Sequence, residues 1–159
     1  MSHCIDVQYA SAVSSVPAVE SIRQWSVAAL AAAPHDTELT VRIVDEQEIS
    51  HLNQRFRDQE GVTNVLAFPA DVPSEAGLNL LGDVIICAPV VIAEARAQGK
   101  LAEAHWAHLV VHGILHLQGF DHQNEAQAAK METCEVDILV RLGYSNPYET
   151  GDPVADPGG

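Results

Sequence analysis

Three histidines fall within eleven residues in HGILHLQGFDH, residues 112–122, and two of them, His112 and His116, stand four apart. On an α-helix that spacing stacks two imidazoles on successive turns, where both can reach one cation. Gly119 follows and suits a left-handed helix end, so that the chain can fold back and His122 can supply a third ligand. The offsets 0, 4, 7 and 10 for His, His, Gly and His match the metzincin frame HExxHxxGxxH. Three neutral imidazoles suit zinc, although ligand type alone suits nickel, copper or iron(II) as well. Three protein ligands also leave a coordination position open, as catalytic sites need and structural sites do not.

One departure from that frame matters chemically. Position 113 is glycine, where zinc proteases carry the glutamate that deprotonates water. A peptidase of that design would lack its base. At 100° per residue, His105, His108, His112 and His116 fall on one face of a helix beginning near Ala102, while Val110, Ile114 and Leu117 line the other. His108, one turn before His112, is a candidate contact to a ligand or to substrate, and His105 is expected nearer the surface. Asp121, beside His122, could orient an imidazole by hydrogen bonding, or could simply cap the chain reversal.

The elements that must position these residues are legible from periodicity. Ile5 to Tyr9 and Glu38 to Val44 alternate in strand fashion, and NVLAF, ending before Pro69, predicts a third strand. GDVIIC, from Gly82 to Cys87, is almost continuously apolar and predicts a central strand, with Cys87 in the core. Helices are expected from Pro17 to Pro34, after Asp45 as part of a capping box with Glu48, and from Pro89 to Gln98. Two more run from Ala102 to about residue 118 and, capped by Asn124, from Glu125 to Leu142. The stretch from Ala70 to Asn79 reads as an irregular excursion. The expected fold is α/β (α+β-like): a single layer of mixed sheet packed by about five helices, one of them a zincin-like metal-binding helix. Residues 1–148 read as one metalloprotein domain and 149–159 as a disordered tail.

Composition narrows the partners. With 22 acidic and 8 basic side chains, the chain carries a formal charge of −14, which opposes broad adhesion to nucleic acid and suits a basic protein partner. Any contact with nucleic acid must be local, and Arg55 and Arg57 are the close pair of arginines available for it. Three widely spaced cysteines without a CxxC pair fit a reducing compartment. No apolar run is long enough for a bilayer and no export signal is visible, so cytoplasmic residence is expected.

HGILHLQGFDH resembles the HGxLHLxGyDH signature of the YbeY family, bacterial single-strand-specific endoribonucleases also called rRNA maturation factors. LNQRFRDQEGVTNVLAFP, LLGDVIICAPVV, AHWAHLVVHG and METCEVDILVRLGYSNPY are similar to further blocks of that family, in order, from about residue 38 to 148. The resemblance implies one zinc ion per chain on His112, His116 and His122, and an essential Arg57. A guanidinium can grip phosphate in bidentate fashion, which makes chemical sense of that role. It further implies cleavage of single-stranded RNA, with ribosomal RNA at the small-subunit 3′ end as substrate and small-subunit ribosomal and assembly proteins as partners. Asp58, Gln59 and Glu60 stand where family members often carry glycine and lysines, and Ala67 stands where serine is common, so local positive charge is lost. Two rival readings remain at this point: a metallopeptidase with metzincin-like spacing, and a non-catalytic ribosome-assembly factor with a structural zinc.

Overall fold

The sheet is built around a strand whose second half is apolar on both faces. In the computed structural model, which describes residues 3–31, 33, 36–70, 79–120 and 124–148, β1 (Cys4–Ala10), β2 (Thr37–Val44), β3 (Val65–Pro69) and β4 (Asn79–Cys87) form one mixed sheet in the order β1-β2-β4-β3. β1, β2 and β4 run parallel, and β3 pairs antiparallel with β4 as an edge strand. The side chains of Val84, Ile85, Ile86 and Cys87 in β4 are all buried, so this stretch is covered on both faces, as its continuous apolar run predicts, while Leu80 and Asp83 earlier in the strand are exposed.

Five helices are described: α1 (Val19–Ala29), α2 (Glu46–Arg57), α3 (Ala88–Gln98), α4 (Ala102–Leu117) and α5 (Glu125–Arg141). Val41, Ile43, Val84 and Ile86 join Ile22 and Trp25 of α1, Trp106, Val110 and Ile114 of α4, and Met131 and Leu139 of α5 in the larger core. Val44, Leu66, Ile85 and Cys87 pack with Ile49 of α2 in a smaller cluster. The fold is thus α/β, a mixed sheet packed by helices.

Several local expectations are corrected. β4 begins before Gly82, because Glu38 pairs with Leu80 and Leu39 with Gly82, leaving a bulge at that step. Gly82 has φ +141°, and a Cβ there would lie 2.2 Å from the Phe68 carbonyl oxygen, so β3 can approach only a glycine. Asp45 precedes α2 but makes no side-chain cap. Its carboxylate instead accepts from Ser11 Oγ and from the Ala12 N–H at 2.9 Å, tying the end of β1 to the end of β2. Glu48 is likewise diverted from a capping box to Arg42, at 2.7 and 3.2 Å. Asn124 does cap α5, accepting from Gln127 N at 2.9 Å. The excursion over 71–78 and the tail over 149–159 lie outside the described residues.

Candidate active site

Gly113 lets α4 lie directly on the sheet. A Cβ at this position would stand 2.6 Å from Val84 Cγ1 and 3.4 Å from Val65 Cγ2. Both neighbours are stiff, β-branched strand residues, so the helix could not hold its place with a larger residue there. The glutamate of the protease frame is therefore sterically barred from position 113. That close approach puts His112 and His116, on either side of Gly113, at the rim of a cleft of about 670 Å³ between α4, β3 and the end of α2.

The His112 and His116 rings meet edge to face with centroids 4.7 Å apart, as two imidazoles on successive turns should. Glu135, on α5, is fully buried behind them, and its Oε2 is hydrogen-bonded to His112 Nδ1. Its Oε1 accepts from the Tyr148 hydroxyl and lies 3.4 Å from His108 Nε2. Burial by itself would raise the Glu135 carboxyl, but the hydrogen bonds of His108 and His112 and the charge of His112 outweigh it and hold it down at about 2. The carboxylate is therefore ionised. The Tyr148 hydroxyl is pushed up by its own burial and then by Glu135.

Among the described residues, His108, His112 and Glu135 have ligand atoms within 4.8 Å of one another and could hold a metal ion. This group shares only His112 with the set expected from spacing. We read it as the support behind the site, because both Glu135 oxygens already accept hydrogen bonds and the residue has no exposed surface. A carboxylate on Nδ1 fixes the tautomer of His112 and makes Nε2 the nitrogen that a cation would use, the usual arrangement behind a metal-binding histidine. The donor chemistry at the His112–His116 rim fits a borderline transition metal such as zinc. His122 and Asp121 lie outside the described residues.

Arg57 lines the same cleft. It is the last residue of α2, and Asp58 ends the helix in a left-handed conformation with φ 53°. Its Nη2 donates to the carbonyl oxygen of Ala67 on edge strand β3, and its guanidinium lies 5.4 Å from the centre of the Phe68 ring. These contacts hold an exposed cation at the cleft by a backbone acceptor and a ring.

His105 is not near the surface. It is 5% exposed, and its Nε2 lies 2.9 Å from Glu94 Oε1 on α3. Burial is the main reason its pKa falls below the ordinary histidine value, so the ring is neutral at pH 7. Glu94 also accepts from Asn64 Nδ2, and Asn64 lines the cleft. Sequence reasoning missed Glu135, Glu94 and Asn64 as parts of the site. Glu135 stood in a block of family resemblance, which was its one visible signal.

The chain is similar to known proteins over most of its length. The family model described as Endoribonuclease YbeY matches residues 8–143. The chain is 51% identical over 152 residues to the Endoribonuclease YbeY of Nitrosococcus oceani, covering 94% of this chain and 99% of that one. It is 48% identical over 150 residues to the protein of that name from Stutzerimonas stutzeri, covering 94% and 93%. The solution structure of a Thermotoga maritima protein superposes with a TM-score of 0.56 at 28% identity, over 93% of this chain and 98% of that one. With the family model matching residues 8–143 and relatives about half identical over nearly the whole chain, the chain belongs to the endoribonuclease YbeY family.

Proposed function

We propose that the protein is a metal-dependent endoribonuclease hydrolysing phosphodiester bonds in single-stranded RNA, with ribosomal RNA at the small-subunit 3′ end as its substrate. The observation that carries this reading is the shared cleft, which His112, His116 and Arg57 all line. His112, His116 and His122 would hold one zinc ion, which would supply Lewis acidity for phosphodiester hydrolysis. Arg57 binds the scissile phosphate and offsets the charge that grows on it, with its own position set by Ala67 and Phe68. Glu135 orients His112 and balances positive charge at the site, and His108 and Tyr148 hold Glu135 in turn. Asp121 is assigned the orientation of a neighbouring imidazole.

Gly113 argues against a peptidase, since neither the base nor room for one exists at that position. The charge of −14 favours one other reading, an assembly factor that docks basic proteins and uses its metal structurally. Under either reading the partners are ribosomal RNA and small-subunit ribosomal and assembly proteins, in the cytoplasm. Among the described residues no helix is long and apolar enough to cross a membrane.

The deciding experiment offers purified protein short single-stranded RNA, a duplex of the same sequence and a peptide library. Metal-stripped protein and the His112→Ala, His116→Ala double mutant serve as controls. The nuclease reading requires cutting of the single strand that is lost in both controls. Cutting that persists without metal sinks the metal-dependent mechanism, and no cutting by metal-loaded protein favours the assembly factor.

A further inference from the structure

Asn64 stands immediately before β3, and its carbonyl oxygen accepts from Cys87 N at 2.9 Å, which pins it to the end of β4. Its side-chain Nδ2 lies 3.1 and 3.3 Å from the two oxygens of Glu94, and Glu94 Oε1 is also 2.9 Å from His105 Nε2. An ionised carboxylate only accepts, so both neighbours must donate to it. That logic places the His105 proton on Nε2 and turns the Asn64 amide nitrogen toward Glu94. The opposite end of the amide, Oδ1, is then turned away from Glu94, and Asn64 lines the cleft whereas Glu94 does not.

The cleft therefore offers unlike groups. Arg57 supplies donors, and phosphate oxygens of a bound strand can satisfy them. An amide oxygen needs a donor, and a nucleic-acid strand supplies these from its ribose 2′-hydroxyls and base amino groups. Of the two, the 2′-hydroxyl recurs at every ribonucleotide and sits one sugar carbon from a bridging phosphate oxygen. An acceptor sharing a cleft with a phosphate-binding arginine meets it whatever the base. We propose that Asn64 is a specificity-determining residue whose Oδ1 accepts a hydrogen bond from a ribose 2′-hydroxyl, and that Glu94 and His105 hold it in that orientation. This rests on the RNA-cleaving reading and adds the group by which RNA is told from DNA. Asn53 also lines the cleft, but its Nδ2 holds the Gly61 carbonyl at 3.2 Å, so its loss would disturb the loop as well. Asn64 gives the cleaner test.

The test measures affinity of the full-length, metal-loaded protein for one single-stranded sequence made as RNA and as its 2′-deoxy form, with every protein carrying Arg57→Ala to slow cleavage. Gels verify that the RNA stays intact during measurement, and cleavage itself is scored separately with Arg57 present. The parent with Asn64 should bind the RNA more tightly. Asn64→Ala should weaken RNA binding about three- to tenfold, the cost of one neutral hydrogen bond, and leave the deoxy strand within about twofold. Glu94→Gln should show the same selective loss, because its amide can donate to Asn64 Oδ1 and turn the wrong end outward. Melting temperature and metal content, measured beside these, show whether either variant is misfolded. An unchanged RNA-to-DNA ratio in folded Asn64→Ala, or equal weakening for both strands, overturns the proposal. Selective loss in Asn64→Ala but none in folded Glu94→Gln overturns the positioning role of Glu94 and His105. A 2′-hydroxyl preference that depends on Asn64, in a protein that cuts no RNA, would sink the nuclease reading and leave this contact standing.

Discussion

Glu135 and His112 are 23 residues apart, on different helices, yet the buried carboxylate grips Nδ1 of the imidazole that faces the cleft. Glu135→Gln keeps an acceptor and removes the charge, so the fold should survive and metal affinity should fall about 10- to 100-fold. Glu135→Ala strips His112, His108 and Tyr148 of their shared acceptor and should cost about 3 kcal/mol of stability. Metal titration and urea unfolding of the two variants check both outcomes. Wild-type metal affinity in Glu135→Gln would show that the carboxylate does not serve the site.

Gly113 and Val84 should be coupled. Gly113→Ala drives a Cβ into Val84 Cγ1, an overpacking that should cost about 1–3 kcal/mol. Val84→Ala removes the obstructing methyls and makes a cavity of its own. The double mutant should therefore be more stable than the sum of the single effects, which a thermodynamic cycle measures. Strict additivity would mean that α4 accommodates the Cβ by some other movement.

Arg57 contributes charge at an exposed position and should matter to rate far more than to folding. Arg57→Ala should leave melting temperature and metal content nearly unchanged while cleavage falls roughly 10²–10³-fold. Arg57→Lys should recover part of that loss, since an ammonium keeps the charge and lacks the bidentate fork. Binding of uncleaved RNA should weaken less than the rate. A wild-type cleavage rate in metal-loaded Arg57→Ala would remove its catalytic role.

His105 should leave a mark on the pH dependence of stability. Its folded pKa is lowered below 6.5, chiefly by burial, so the unfolded chain takes up this proton first as pH falls. The stabilisation is complete above about pH 6.5 and is lost as pH drops from there toward the folded value. Glu135, held at about 2, stays ionised across that range. In chelator-treated protein, melting temperature between about pH 7.5 and pH 5.5 should fall less steeply for His105→Gln than for wild type. Identical slopes would show that His105 is as easily protonated folded as unfolded.

Local order was legible in the sequence because it is written in short periods. Alternation marked the strands, the four-residue spacing marked the His112–His116 pair, and the continuous apolar run of β4 announced its burial on both faces. Even the objection to a peptidase was readable, since Gly113 stood where a glutamate was needed. Its steric cause was not, because Val84 and Val65 come from other elements. The same limit applies to charged side chains that leave their local role. Asp45 and Glu48 had the spacing of a capping box, but Ser11, Ala12 and Arg42 offered them partners that no local pattern records. Glu135 and Glu94 sit on helices where a carboxylate ordinarily means a solvated face, and His105 had no mark of burial. Which carboxylate meets which imidazole depends on how α3 and α5 dock against α4, and docking is settled by the summed packing of many apolar side chains. Sequence periodicity thus determined the elements and the chemistry they carry, while tertiary packing alone decided which groups hold the histidines and that Arg57 shares one cleft with them.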